Sequence, residues 1–306
     1  MTHGRLLRFI IVAAILITLG ACIGFAAVPL PSTAETDRET LFQVSTIDAL
    51  LQGIYDGSMS FDELASHGDL GIGCGERLDG ELIGLDGGWY LIRVDGRAYP
   101  VAGNATTPFA ATTFFDPDIE IAVEKPMTLP DLENRVRDEF PSENYFYAIR
   151  VDGTFSQVVT RSVPAQEKPY PRLALVTANQ AVFSFKNITG TAVGFWSPGL
   201  AKGVNVPGYH LHFITTDRTA GGHILDMTLA EGTVRVDTTK NFSVVLPSSG
   251  DFLAVDLTED LSEDLGQVEC GRFHLILPVV VPEPLCRPGR APSSSCRVRQ
   301  ESAAGT

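Results

Sequence analysis

Three Asp-Gly dipeptides, Asp79-Gly80, Asp86-Gly87 and Asp95-Gly96, cut residues 70–103 into short apolar runs such as ELIGL and WYLIRV. Asp-Gly accepts the positive φ angles that tight hairpins demand, and a helix of useful length cannot form between such breaks. The spacing predicts a β-meander. A fourth dipeptide, Asp152-Gly153, lies inside NYFYAIRVDGTFSQVVTRS and reads as the turn of another hairpin.

Helices frame the meander. TIDALLQGIYDG predicts one opened by Ser45 or Thr46 and closed by Gly57. SFDELASHG carries a capping box, Ser60 to Glu63, and a stop at Gly68. LPDLENRVRDEF has Pro130 early and apolar residues at helical spacing. The Pro-rich stretch SVPAQEKPYPRL then precedes a second half containing AVFSF, TAVGFW, YHLHFIT, GHILDMTLA, TVRVDT and FSVVLP. Helices and strands do not alternate, which excludes a doubly wound parallel sheet. The expected class is α+β, with two β-rich halves of mixed or antiparallel sheet and a few helices. The expected domains are residues 41–172, α+β, and residues 173–282, β-rich and metal-binding.

Both ends read differently from the middle. MTHGRLLR is a basic start, followed by an uncharged run from Phe9 to Leu30. Residues 1–30 are therefore expected to be an export signal or, at that length, an uncleaved membrane anchor. Leu19-Gly20-Ala21-Cys22 also resembles a bacterial lipobox, in which Cys22 would be lipidated. Export to the periplasm or the extracellular space is common to all three readings. Residues 31–40 read as a linker, and residues 283–306, rich in Pro, Ser and Arg, as a disordered tail in which Cys286 and Cys296 could pair. A net charge of −14 without a basic stripe excludes nucleic acid as a partner.

Three of the six histidines, His210, His212 and His223, fall within GYHLHFITTDRTAGGHILD. Residues two apart on a strand share a face, so His210 and His212 project together while Leu211 faces away. TTDRTAGG is turn chemistry, and a hairpin would return His223 beside the other two. Three imidazoles on one face make a nitrogen donor set with positions left open for substrate or water. Such donors suit zinc best, with iron, copper and nickel also compatible. Among the others, His3 is in the leader, His67 ends a helix and His274 needs no more than a core or surface role.

Four blocks, GDLGIGCGERLDGELIGLDGGWY, YAIRVDGTFSQVVTRSVPAQEKPYP, GYHLHFITTDRTAGGHILD and DLSEDLGQVE, resemble the bacterial α-acetolactate decarboxylases in the family's order, over residues 41 to about 275. The resemblance implies a zinc carboxy-lyase converting 2-acetolactate, a small anionic 2-hydroxy-3-oxo acid, to acetoin and CO2. It places the zinc ligands on His210, His212 and His223, and the other active-site residues on Glu81, Arg161 and Glu269. It also implies a homodimer. The residue types suit the chemistry: zinc chelating the ketone and hydroxyl oxygens would stabilise the enediolate left by CO2. A glutamate could carry the proton, and Arg161, which never deprotonates, would anchor the substrate carboxylate.

One departure stands out. Cys74 occupies a position where the family usually has threonine, and Cys270 directly follows Glu269. The two sulfurs could form a disulfide, stay as unpaired thiols, or Cys74 could act as a thiolate near zinc. Two rival functions share the histidine pattern. A cupin-like or other exported three-histidine metalloenzyme is one, with Asp217 where a cupin wants glutamate; a non-catalytic exported metal-binding β-module is the other.

Overall fold

The structure, a computed structural model, describes residues 38–269. In chain order the strands of the first sheet are β1 (Thr40–Val44), β3 (Leu70–Cys74), β4 (Glu81–Leu85), β5 (Gly88–Ile92), β6 (Ala98–Pro100), β8 (Ala110–Thr113) and β15 (Asn241–Val245), in the spatial order β15-β1-β8-β3-β4-β5-β6. The second sheet holds β9 (Ile119–Val123), β10 (Met127–Thr128), β11 (Phe146–Ser162), β12 (Ala181–Ser197), β13 (Gly208–Thr215) and β14 (Gly221–Thr239). A short pair, β2 (Met59–Ser60) and β7 (Thr106–Thr107), stands apart. The helices are α1 (Ile47–Leu51), α2 (Phe61–Ala65), α3 (Leu129–Arg137), α4 (Leu173–Thr177) and α5 (Ser262–Glu269).

The meander forms where the turn residues dictate it. β3, β4, β5 and β6 are consecutive antiparallel neighbours. At its tightest turn Asp86 and Gly87 both hold positive φ, 54° and 74°, which the two-residue hairpin requires. Thr46 caps α1 through its side chain, Ser60 accepts from the Glu63 N–H at the start of α2, and Thr128 caps α3. α1 is shorter than its sequence suggests. It ends at Leu51, and Gly53, at φ 90°, turns the chain four residues before Gly57.

The hairpin expected at Asp152-Gly153 does not form. β11 runs straight through both residues, with Gly153 opposite Gly190 on β12 and Gly232 on β14. The glycine serves close approach between strands rather than a turn: a Cβ there would strike the Glu231 carbonyl oxygen and come within 2.9 Å of the Gly232 Cα. Gly153→Ala is therefore expected to destabilise the fold by about 1–3 kcal/mol, a cost typical of overpacking, readable as a lower urea midpoint at unchanged slope. AVFSF and TAVGFW likewise belong to one strand, β12, and GHILDMTLA and TVRVDT to another, β14.

These long strands close the second sheet on itself. β11 pairs with β12, β12 with β13, β13 with β14, and β14 back with β11. The expected boundary between residues 172 and 173 cuts across this sheet, since β11 precedes it and β12, β13 and β14 follow it. β15 also crosses, pairing parallel with β1. The described residues lie within one compact unit.

Between the sheets β12 lies against β3 and β13 against β4. Leu70, Ile72, Ile83, Leu85, Val193, Phe195 and Ile214 fill the space. A second core, including Val151, Phe155, Leu211, Phe213 and Leu229, lies on the other face of β11–β14 and is covered by Leu132 and Val136 of α3. A third packs Leu50, Leu173 and Val268, from α1, α4 and α5, around Cys74 and Phe109. No helix among the described residues is long and apolar enough to cross a membrane; the Phe9–Leu30 run, Cys22, Cys270, His274, Cys286 and Cys296 lie outside the described residues.

Candidate metal centre and active site

Strand period aims the site. His210, His212 and Ile214 share one face of β13, and Ile214 packs in the core between the sheets, so both histidines point toward the first sheet. Glu81 shares its face of β4 with Ile83 and Leu85, which pack in the same core. Cys74, opposite Glu81 in register, shares its face with Leu70 and Ile72. β14 brings back His223, opposite His212 on one side and Arg161 of β11 on the other. Glu269 arrives separately, at the end of α5.

One ring nitrogen from each of His210, His212 and His223 lies within 4.8 Å of the others. The Nδ1–H of His212 donates to the Leu82 carbonyl at 2.8 Å, because a carbonyl can only accept. That fixes the tautomer and leaves the Nε2 lone pair free, 3.2 Å from the His210 Nε2. Two donors about 2.0–2.1 Å from a tetrahedral zinc sit about 3.4 Å apart, so this pair fits such an ion and the three rings together could hold a metal. Burial, reinforced by the Arg161 charge, holds His210 down at about 3. Burial also pushes His212 and His223 well below the usual histidine range. All three rings are neutral at physiological pH, the form in which imidazole binds metal.

The carboxylates flank the rings on two sides. Glu81 Oε1 accepts from Arg161 Nη1 at 3.0 Å, and its Oε2 lies 3.7 Å from His212 Nε2. Glu269 Oε2 lies 3.8 Å from His223 Nε2 and 4.0 Å from His210 Nε2. Burial raises both glutamates to about 7; Arg161 pulls each down, and for Glu81 the neighbouring Glu269 adds to the rise. A carboxyl that titrates near neutrality can hold or release a proton at working pH. Arg161 is 4% exposed and its Nε has no partner among the described residues.

Cys74 is buried, has no disulfide partner among the described residues, and its thiol donates to the Phe109 carbonyl at 3.8 Å. Burial and the Glu81 carboxylate push its pKa far up, which favours thiol over thiolate. His67 stacks on Phe42, and exposed Asp217 accepts from Thr215 and Thr219 in the β13–β14 turn.

Two cavities meet at Glu269. One, of about 30 Å³, lies against Glu81, Arg161, His210 and an apolar wall that includes Leu78 and Phe109. The other, of about 690 Å³, reaches His223 and opens between Leu129, Tyr209 and Leu265. The sequence reading missed α5, although Leu261, Leu265 and Val268 are spaced one helical face apart. It also missed the apolar wall, whose residues come from segments far apart in the chain.

Residues 41–259 match the family model described as alpha-acetolactate decarboxylase. The chain belongs to the alpha-acetolactate decarboxylase family. It is 52% identical to the alpha-acetolactate decarboxylase of Methanosarcina mazei over 78% of this chain and 83% of that one. With that of Bacillus licheniformis it shares 47% over 77% and 93%. The crystal structure of alpha-acetolactate decarboxylase from Bacillus subtilis strain 168 superimposes with a TM-score of 0.74 at 43% identity, covering 75% of this chain and 99% of that one. The α+β class read from the sequence agrees with this family fold. The matched residues include five of the six expected site residues, and Glu269 lies beyond them.

Proposed function

We propose that the chain decarboxylates 2-acetolactate to acetoin and CO2 at a zinc ion held by His210, His212 and His223. Family membership supports the reaction, and one observation carries the site: three neutral imidazoles converge beside two glutamates and one guanidinium in a buried pocket. When bound, the metal supplies Lewis-acid stabilisation of the negative charge that the departing carboxylate leaves on the ketone side.

The protein's own residues account for the rest. Arg161, buried and with an unpartnered Nε, offers donors to the substrate carboxylate in a fixed fork geometry. Replacing carboxylate by hydrogen consumes one proton for each CO2 released. Glu81 and Glu269, both raised to about 7, are the groups able to hold it. Their positions on different sides of the rings would let one deliver it to a single face of the substrate. The 690 Å³ cavity gives an approach for a small anion.

Asp217, which stands where a cupin wants glutamate, is exposed in a turn and bonds only its own loop. The test is direct. Purified protein given racemic 2-acetolactate should form acetoin, lose that activity on treatment with a strong chelator, and regain it with zinc. Acetoin formation that survives complete metal removal would refute the zinc-dependent reading. Export through residues 1–30, with anchoring or lipidation at Cys22 as its membrane-attached forms, and pairing with a second copy belong to the same proposal. Cell fractionation and sedimentation would check them.

A further inference from the structure

The 30 Å³ cavity is a small lobe, with room for a group of about methyl size. Its polar side is Arg161, Glu81, His210 and Glu269; its other side is apolar, with the Cys74 thiol beside it. Leu78, Phe109, Val163, Leu173 and Val268 supply that side, each 4% exposed or less. They come from five separate segments of the chain.

Leu78 enters it by an unusual route. Arg77 and Leu78 both hold left-handed backbone, φ 57° and 62°, and Gly80 follows at 84°. Successive residues with a Cβ rarely adopt this conformation, and it persists only where the surroundings over-determine it. Here they do. The Arg77 N–H donates to the Tyr55 carbonyl at 2.8 Å, its carbonyl accepts from the Gln166 N–H at 2.8 Å, and Gly80 N–H bonds the Leu78 carbonyl at 2.9 Å. The Glu76 carboxylate fastens the same turn, accepting from the Gly57 N–H at 3.0 Å and from the Thr106 hydroxyl. The tethered turn directs a leucine, rather than solvent, against the reacting groups.

We propose that this lobe seats the methyl group on C2 of the substrate and that Leu78 sets the largest alkyl group accepted there. The inference rests on the decarboxylase reading. C2 carries carboxylate, hydroxyl, acetyl and methyl; with the carboxylate on Arg161 and the hydroxyl and ketone oxygens turned to the histidines, the methyl is the group left for the apolar lobe that Arg161 also lines. The acetyl end then faces His223 and the 690 Å³ cavity, where added length meets no wall of this kind. One methylene beyond a filled hydrophobic pocket is worth about tenfold or more in discrimination. The C2 position should be gauged tightly and the acyl position loosely.

The experiment measures kcat/KM of the zinc-loaded protein by CO2 release from three substrates: 2-acetolactate, its homologue with ethyl on C2, and its homologue with propanoyl in place of acetyl. The wild type is expected to disfavour the C2-ethyl compound by about tenfold or more and to treat the propanoyl compound within a few-fold of 2-acetolactate. Leu78→Ala should narrow the C2-ethyl ratio about tenfold while leaving the propanoyl ratio in place. Val163→Ala, on the same wall, serves if Leu78→Ala does not fold. Ratios that move together, or not at all, overturn the assignment. If the wild type releases CO2 from none of the three, the decarboxylase reading fails by itself. Calorimetry with unreactive 2-hydroxy-2-methylbutanoate and 2-ethyl-2-hydroxybutanoate then decides the lobe, and an affinity ratio unchanged by Leu78→Ala sinks it.

Discussion

On the proposed zinc chemistry, His212→Ala is expected to lose the metal and at least about a thousandfold in kcat, the scale on which removing charge stabilisation at a developing oxyanion is felt. His212 is the most enclosed of the three rings, fully buried and held by the Leu82 carbonyl. Its removal leaves two imidazoles, and two neutral nitrogen donors seldom retain zinc against dialysis. A stability loss of about 0.5–1.5 kcal/mol should accompany this, the net worth of the buried hydrogen bond to the Leu82 carbonyl. The measurements are metal content by atomic emission after dialysis, acetoin formation, and a thermal melt that shows the variant is folded. A folded variant that keeps one equivalent of zinc and near-normal turnover would remove His212 from the centre.

Arg161→Ala should behave differently. The guanidinium is not a metal ligand, so zinc content is expected to stay near wild type while turnover falls by about a hundredfold or more and KM rises. Truncation leaves Glu81 buried beside no cation, a change that costs about 3–5 kcal/mol if the carboxylate stays charged. It need not stay charged. Arg161 is the influence that pulls Glu81 and Glu269 down, so without it both rise above about 7 and keep their protons to higher pH. Residual activity should therefore show its glutamate-governed limb shifted toward alkaline pH, and Arg161→Lys should recover part of the shift. Zinc loss in Arg161→Ala, with the fold intact, would show that the residue holds the metal site rather than the substrate.

Sequence legibility followed local necessity. Asp86-Gly87 was readable because both residues need positive φ, whatever surrounds them. The histidines were readable because a period of two and one short turn fix their common face. Asp152-Gly153 carries the same letters for another reason, the approach of Gly190 and Gly232 on neighbouring strands. That cause lies far along the chain and leaves no local trace. The pairing of Arg161 with Glu81 depends on how two sheets meet; family resemblance placed both in the site but did not announce their contact. Glu269 sat in an acidic stretch that looks solvated until Leu261, Leu265 and Val268 are seen as one buried helical side. Nothing in ERLDG announces that Leu78 turns left-handed and inward.

The parallel pairing of β1 with β15 has a consequence in time. Thr40 meets Asn241 and Val44 meets Val245, so the opening strand waits for a neighbour about two hundred residues downstream, the kind of distant closure that slows folding. While the chain emerges, that edge stays without its mate. A nascent fragment should hold no working catalyst, because Glu269 follows β15 in the chain and both must be made before the site is complete.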